Sequence, residues 1–377
     1  MPAARISTHL EYLIERYQVG FIDVGDENFG SDRPVSKEVA SALGALGLKW
    51  RAGGVRTSTI NRDLLKHWKD NGCISVIYGM ESGSQTMLNV MEKNTTVEQN
   101  LNALKLTHEA GLRTVVQLVV AMPGETQRTV RETIEFLKEA SAYLYLDGGL
   151  PSSKLSVNYA QSLPGTPLYE YAREHGYIGR TIEAEESYLL KISDTDAYKE
   201  DHFINFTRQP LLKVLMWQQE ILAEVDADYL RKRFNTRYSL AQVGTFYVEK
   251  VWARLRRRLA RRFPSLMSGP DMAAKAPQTS GYFNIREAAM FTPLLLNPLT
   301  RVGFVPLLAV GMAFGKSGNP VSALRLLGEY IVWHFLQPFR APLETQLPTK
   351  SLRKVVTILP TVGSSTDDKM VPLRAGR

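Results

Sequence analysis

Over the first ~180 residues one unit recurs: a short apolar run, a polar glycine-bearing turn, then a capped segment of helical period. This alternation commits the chain to a parallel sheet, because parallel neighbours need a crossover and a helix is the compact one. The apolar runs are Val19–Val24, Leu48–Ala52, Ser75–Tyr78, Thr114–Val120 and Lys154–Tyr159. Ile6, Leu10, Leu13, Ile14 and Tyr17 share one helical face ahead of the first run, and Ser36–Leu46 reads as the next helix. Asn61 caps a helix carrying Leu64, Leu65 and Trp68 that stops at Gly72. Thr95 with Glu98 makes a capping box before a helix through Leu101, Leu104 and Leu106. Thr126 caps a helix whose buried side is Val130, Ile134 and Leu137. Thr166, with Pro167 at the first helical position, caps another that Gly176 closes.

Past residue ~180 the rhythm becomes helical without intervening strands, as in Leu211–Val225 and Tyr229–Phe234. The expected fold is therefore α/β: a partial parallel (β/α) barrel over residues 1–180, followed by a mainly α-helical C-terminal region. That region divides into helices over 181–264, a linker rich in Ser, Pro, Gly and Ala over 265–280, and an apolar and basic helical stretch over 281–377.

A single cysteine, Cys73, excludes a disulfide framework and any metal site built from several cysteines, and reads as a small core residue. The six histidines, His9, His67, His108, His175, His202 and His334, have no metal-type spacing, so no metal site is expected in this chain. Tyr12, Tyr17, Trp50 and Trp68 read as packing residues. No stretch reaches the roughly 18 consecutive apolar residues of a membrane span, and the first helix is amphipathic, unlike a signal peptide. A cytoplasmic protein is expected. The net charge of +8 is concentrated in Arg254, Arg256, Arg257, Arg258, Arg261 and Arg262, a segment suited to a solvated face or to peripheral contact with a membrane surface. Nucleic acid is not an expected partner.

In a parallel barrel the ligand meets the carboxyl ends of the strands. Those positions read Gly25-Asp26-Glu27-Asn28-Phe29-Gly30, Gly53-Gly54-Val55-Arg56, Gly79-Met80-Glu81-Ser82-Gly83-Ser84, Met122-Pro123-Gly124-Glu125-Thr126 and Ser162-Leu163-Pro164-Gly165-Thr166. All five carry glycine and three carry a carboxylate. The combination suits a flat, polar, partly cationic ligand, since glycine lets backbone groups approach and carboxylates bind hydroxyls or an ammonium.

The strings GDENFG (Gly25–Gly30), YGMESGS (Tyr78–Ser84), AMPGET (Ala121–Thr126) and LPGTPLYEYA (Leu163–Ala172) resemble the radical S-adenosylmethionine superfamily. With NGC before the second string and MEKNTT after it, their order is most similar to the cobalamin-associated branch. The resemblance covers residues ~4 to ~178 and implies about five of the family's six barrel strands. It implies S-adenosylmethionine as cofactor, with Gly25, Asp26 and Glu27 at the methionyl amino group and Glu81 and Ser82 at the ribose hydroxyls or the methionyl carboxylate. Gly124, Glu125, Leu163, Pro164 and Gly165 fall beside the adenine. Arg56 is a candidate contact to a carboxylate or a substrate. It further implies a 4Fe-4S cluster held by CxxxCxxC, a reductant such as flavodoxin or ferredoxin, and cobalamin as a further cofactor.

This chain has no CxxxCxxC. The resemblance places Met1 just downstream of that loop, so the sequence is expected to be N-terminally truncated, with the run at Val19–Val24 left as an unpaired edge. Two readings follow: a radical enzyme acting on an unidentified substrate once complete, or a non-catalytic barrel that binds S-adenosylmethionine or a partner.

Overall fold

The computed structural model describes residues 3–147, 149–179, 181–193 and 204–234, with a few helical positions between 321 and 332. Five strands, β1 (Phe21–Val24), β2 (Lys49–Val55), β3 (Cys73–Glu81), β4 (Arg113–Val120) and β5 (Leu155–Tyr159), form one parallel sheet whose spatial order equals their chain order. Helix α1 (Ala3–Tyr17) leads into β1, and the crossovers carry α2 (Arg33–Ala45), α3 (Arg62–Asp70), α4 (Gln85–Val90) with α5 (Val97–Glu109), and α6 (Gln127–Ala140). After β5 come α7 (Pro167–Glu174), α8 (Ile182–Ser193) and α9 (Leu211–Phe234). Right-handed crossovers between consecutive neighbours all fall on one side, so the sheet curls into a half-barrel instead of reversing order at a switch point. The expected α/β class and partial parallel barrel are what is observed.

One core joins sheet and helices. Trp50, Ala52, Val76, Tyr78, Met80, Val116 and Leu118 face Leu43, Leu64, Trp68, Leu104 and Ile134. Its densest part is aromatic: Trp50 and Trp68 are fully buried, with ring centroids 6.0 Å apart, and Phe29 sits 5.9 and 5.2 Å from them. The packing role expected for these two tryptophans is correct, but Tyr12 and Tyr17 are 53% and 62% exposed. Tyr12 lies on the side of α1 opposite Leu10 and Leu13, whereas Tyr17 shares their face but is the last residue of the helix, where its hydroxyl accepts from Arg16 Nε at 3.3 Å.

Helix α9 adds Val214, Trp217, Ile221 and Val225 to this same core. Arg131 of α6 pairs with Glu224 and, at 3.3 Å, with Glu220, while Gln218 Nε2 donates to Val157 O at 2.7 Å. The two segments expected at 211–225 and 229–234 are one continuous helix that packs against α6 and β5.

Capping is local and largely follows the sequence. Asn61, Thr126 and Thr166 accept hydrogen bonds from Leu64 N (2.8 Å), Thr129 N (3.4 Å) and Tyr169 N (3.3 Å). The box before α5 falls one residue later than expected: Thr96 Oγ1 accepts from Gln99 N at 3.2 Å and Gln99 Oε1 accepts from Thr96 N at 3.1 Å. Helix α2 begins at Arg33, ahead of Ser36, because Asp32 Oδ1 accepts from Val35 N at 3.1 Å. The basic run Arg254–Arg262, the linker 265–280 and nearly all of 281–377 lie outside the described residues.

Candidate functional site

The loop after β1 is anchored at one end and open at the other. Phe29 plugs between Trp50 and Trp68, and a Cβ on Gly30, at φ +93, would stand 3.1 Å from the Trp68 ring. Upstream of that plug Gly25, Asp26 and Glu27 are exposed, and Asp26 Oδ1 accepts from Asn28 N at 2.8 Å. Asn28 Oδ1 is buried with no hydrogen-bond partner.

Gly53 and Gly54 are part of β2 and not of a turn after it. A Cβ on Gly54 (φ +62) would stand 1.9 Å from Asp26 O, and one on Gly53 would stand 2.7 Å from Val24 O. The pair lets the loop bearing Asp26 and Glu27 lie directly across β2. Arg56 follows, exposed, and no ion pair engages its guanidinium among the described residues.

Strand β3 runs three residues beyond its expected end and closes in a tight turn, with Glu81 at φ +62 and Ser82 N donating to Met80 O at 2.7 Å. A non-glycine residue in that region is strained, and the surroundings must hold it. Lys93 does so, its Nζ lying 2.7 Å from Glu81 Oε1. Lys93 lies in the MEKNTT string, beyond α4, where sequence spacing gives no sign of this contact. Ser82 is buried and its Oγ is 3.1 Å from Thr133 Oγ1 of α6. Its hydroxyl thus packs the turn onto a helix and does not face the strand ends.

A second strained residue, Ala121 at φ +72, follows β4. Glu125, 1% exposed, reaches back so that its Oε2 accepts from Ala121 N at 2.5 Å and Met122 N at 3.3 Å. Burial pushes this carboxyl up to about 8, against the lowering effect of the two amides. Glu125 therefore clamps the loop from below, and Gly124 (φ +79) forms its outer corner. After β5, Leu163, Pro164 and Gly165 are exposed, and nothing lies within 4 Å of a Cβ built on Gly165 (φ +81). Ser162 beneath them is buried with its Oγ unpartnered.

The residues proposed from sequence thus separate by position. Gly25, Asp26, Glu27, Arg56, Leu163, Pro164 and Gly165 are open to solvent at the carboxyl end of the sheet, Glu81 and Gly124 are half-buried there, and Ser82 and Glu125 are turned inward. The open set, with the unpartnered Asn28 Oδ1 and the free space over Gly165, fits S-adenosylmethionine: carboxylates for an ammonium, an uncovered turn for a flat ring. A cluster does not fit. Cys73 begins β3 at the amino end of the sheet, is 1% exposed and has its thiol pushed up to about 12 by burial. No group of three or more His, Cys, Asp or Glu residues is placed to hold a metal among the described residues.

An open parallel half-barrel with polar, glycine-bearing strand ends belongs to the class of folds that bind small molecules at that face. The Radical SAM superfamily model matches residues 1–137, and the half-barrel is a radical SAM domain. Among curated relatives the chain is 29% identical over 175 residues to an uncharacterized methyltransferase of Pyrococcus horikoshii, covering 45% of this chain and 35% of the relative. It is 32% identical over 135 residues to the anaerobic magnesium-protoporphyrin IX monomethyl ester cyclase of Cereibacter sphaeroides, covering 34% of this chain and 22% of the relative. The chain thus spans about a third or less of these relatives. Among solved structures it is similar to the radical S-adenosylmethionine methyltransferase TsrM from Kitasatospora setae with cobalamin and [4Fe-4S] cluster bound (TM-score 0.39, 19% identity, 48% of this chain and 32% of that one). It is also similar to the cobalamin-dependent S-adenosylmethionine radical enzyme OxsB with aqua-cobalamin and S-adenosylmethionine bound (TM-score 0.42, 13% identity, 94% and 54%). No helix among the described residues is long and apolar enough to cross a membrane.

Proposed function

We propose that this chain supplies the S-adenosylmethionine-binding half-barrel of a radical SAM enzyme. The observation that carries the reading is the exposed pair Asp26 and Glu27, held across β2 by Gly53 and Gly54 at the carboxyl end of a parallel sheet. These carboxylates would take the methionyl ammonium, Arg56 the methionyl carboxylate, and the backbone of Leu163–Gly165 with the Gly124 corner the adenine. Bound there, the cofactor supplies a sulfonium whose reductive cleavage by a 4Fe-4S cluster gives the family's 5′-deoxyadenosyl radical. Cys73 is the single cysteine of the 377 residues and cannot hold that cluster, so these residues alone do not carry out the cleavage.

Cobalamin as a second cofactor and a flavodoxin- or ferredoxin-type reductant belong to the same reading. The relatives named as a methyltransferase and a cyclase make methyl transfer or ring formation the reaction classes to assay first. A cytoplasmic setting, with Arg254–Arg262 against an anionic membrane surface, completes it. The burial of Cys73 also favours a second reading, a non-catalytic barrel that binds S-adenosylmethionine or a partner.

Isothermal titration with S-adenosylmethionine tests the shared part. Binding is expected, weakened about ten-fold or more by Asp26→Asn with Glu27→Gln, the scale of a lost charge-assisted hydrogen bond. No binding by the unaltered chain would refute both. Genomic sequence upstream of Met1 separates the two, since an encoded CxxxCxxC there supports the enzyme and its absence supports the binding barrel.

A further inference from the structure

Alternate residues of each strand face away from the helices, onto the concave side of the half-barrel. Register arranges them in rows. Nearest the amino ends lie Asp23, Arg51, Ser75 and Arg113, and the charges in that row are paired: Arg51 Nε is 3.0 Å from Asp23 Oδ1, and Arg113 Nε is 3.0 Å from Asp147 Oδ2. The next row is apolar, with Ile77 beside Val115. At the carboxyl end the row reads Gly79, Gln117, Ser156, with Asn158 one step further beside Val119. Glu81 joins them: its Oε1 lies 2.9 Å, and Lys93 Nζ 3.8 Å, from the point a Gly79 Cβ would occupy, so the ion pair covers that glycine.

Two features separate this last row from an ordinary wet surface. Parallel sheets are as a rule covered on both faces, yet Gln117, Ser156 and Asn158 are only half-buried while their neighbours toward the helices, Leu118, Val157 and Tyr159, are buried. The charged groups of the amino-end row are paired within the chain. In the carboxyl-end row Ser156 Oγ makes one long contact, 3.4 Å to Asn158 Oδ1, and no hydrogen bond engages the Gln117 amide among the described residues.

The chemistry of the free groups sets the ligand. They are neutral, and the adjacent cation, Lys93, is committed to Glu81. A carboxylate or phosphate would meet no free positive charge among these residues. Glutamine and asparagine amides instead present a donor and an acceptor side by side, matched by a ligand edge that does the same. We propose that Gln117, Ser156 and Asn158 form a substrate-binding strip for a neutral molecule with a carboxamide or lactam edge. The inference rests on the half-barrel being a ligand-binding face and names the substrate class for it.

Saturation-transfer NMR on the full chain tests this with nicotinamide as probe and nicotinate as its charged isostere. Nicotinamide is expected to bind about five-fold more tightly, and Gln117→Leu or the isosteric Gln117→Glu to weaken it about five-fold, the scale of one neutral hydrogen bond. S-adenosylmethionine affinity in both variants should stay within about two-fold. Equal binding of the two probes, no binding of nicotinamide, or unchanged binding in Gln117→Glu overturns the strip. Parallel loss of S-adenosylmethionine in the variants also overturns it, by giving Gln117 to the cofactor. Failure of the unaltered chain to bind S-adenosylmethionine refutes the function proposed above and leaves the nicotinamide comparison readable.

Discussion

Glu125 makes the stability of the half-barrel depend on pH in a direction opposite to that of an ordinary salt-bridged carboxylate. Its carboxyl is raised by burial from the usual 4.5 to about 8 in the folded chain. Between those values the native state holds a proton that the unfolded state has released, so stability falls as pH rises. It is fully present below the unfolded value and gone once pH passes the folded one. The slope is about 1.4 kcal/mol per pH unit for one proton. Asp226, raised to about 6 by burial behind Ser152 N, contributes the same sign at lower pH, so the range from about pH 6.5 to 7.5 isolates Glu125 among the shifted carboxyls. For a domain of this size, 1.4 kcal/mol corresponds to roughly 3–6 °C in Tm. Thermal melts by circular dichroism across that range should show such a drop in the natural chain. Glu125→Gln keeps an acceptor for Ala121 N and Met122 N without a titrating proton, and its Tm should be flat. A slope in Glu125→Gln equal to that of the natural chain, or stability that rises with pH, would refute the assignment.

Phe29→Ala empties the space between Trp50 and Trp68 and should cost about 3–5 kcal/mol by urea denaturation, whereas a loss near 1 would mean the plug does not anchor its loop. Gly54→Ala forces a side chain into φ +62 against Asp26 O; protease cleavage within Gly25–Asn28 should speed up and S-adenosylmethionine affinity fall, and unchanged cleavage would contradict the close approach. Cys73 should resist alkylation until the chain unfolds, and anaerobic reconstitution with iron and sulfide should yield no visible charge-transfer band. Rapid native labelling or a stoichiometric cluster would each count against the buried, neutral thiol. Among the described residues strand β1 pairs on one side only, and Phe21 is 45% exposed, so light scattering should show self-association that Phe21→Lys reduces; a monodisperse natural chain would argue against an adhesive edge.

Much of the scaffold is written in segments short enough to read alone. Short apolar runs mark all five strands, and Asn61, Thr126 and Thr166 stand where they cap because each needs only an amide three residues ahead. The strand ends were less legible. Gly53–Gly54 and Gly79–Met80–Glu81 look like turns in sequence, but a strand continues for as long as its neighbour offers partners, and the neighbour's length is set elsewhere in the chain. The one-residue shift from Thr95 to Thr96 has a similar origin: either threonine could begin α5, and the contacts of Asn100 with Thr57 and Thr95 show the register the tertiary packing takes.

The same division runs through the site. That glycines and carboxylates gather at one end of a parallel sheet follows from the order of elements along the chain. Which of those groups stay open to solvent depends on the tertiary structure. Ser82 and Glu125 turn inward because Thr133 and the Ala121 and Met122 amides are there to receive them, and Lys93 reaches Glu81 from beyond a helix. The concave row of Gln117, Ser156 and Asn158 exists only once register brings strands β4 and β5 together. Periodicity is a property of neighbours along the chain, whereas the direction of a polar side chain is settled by whatever distant group can satisfy it.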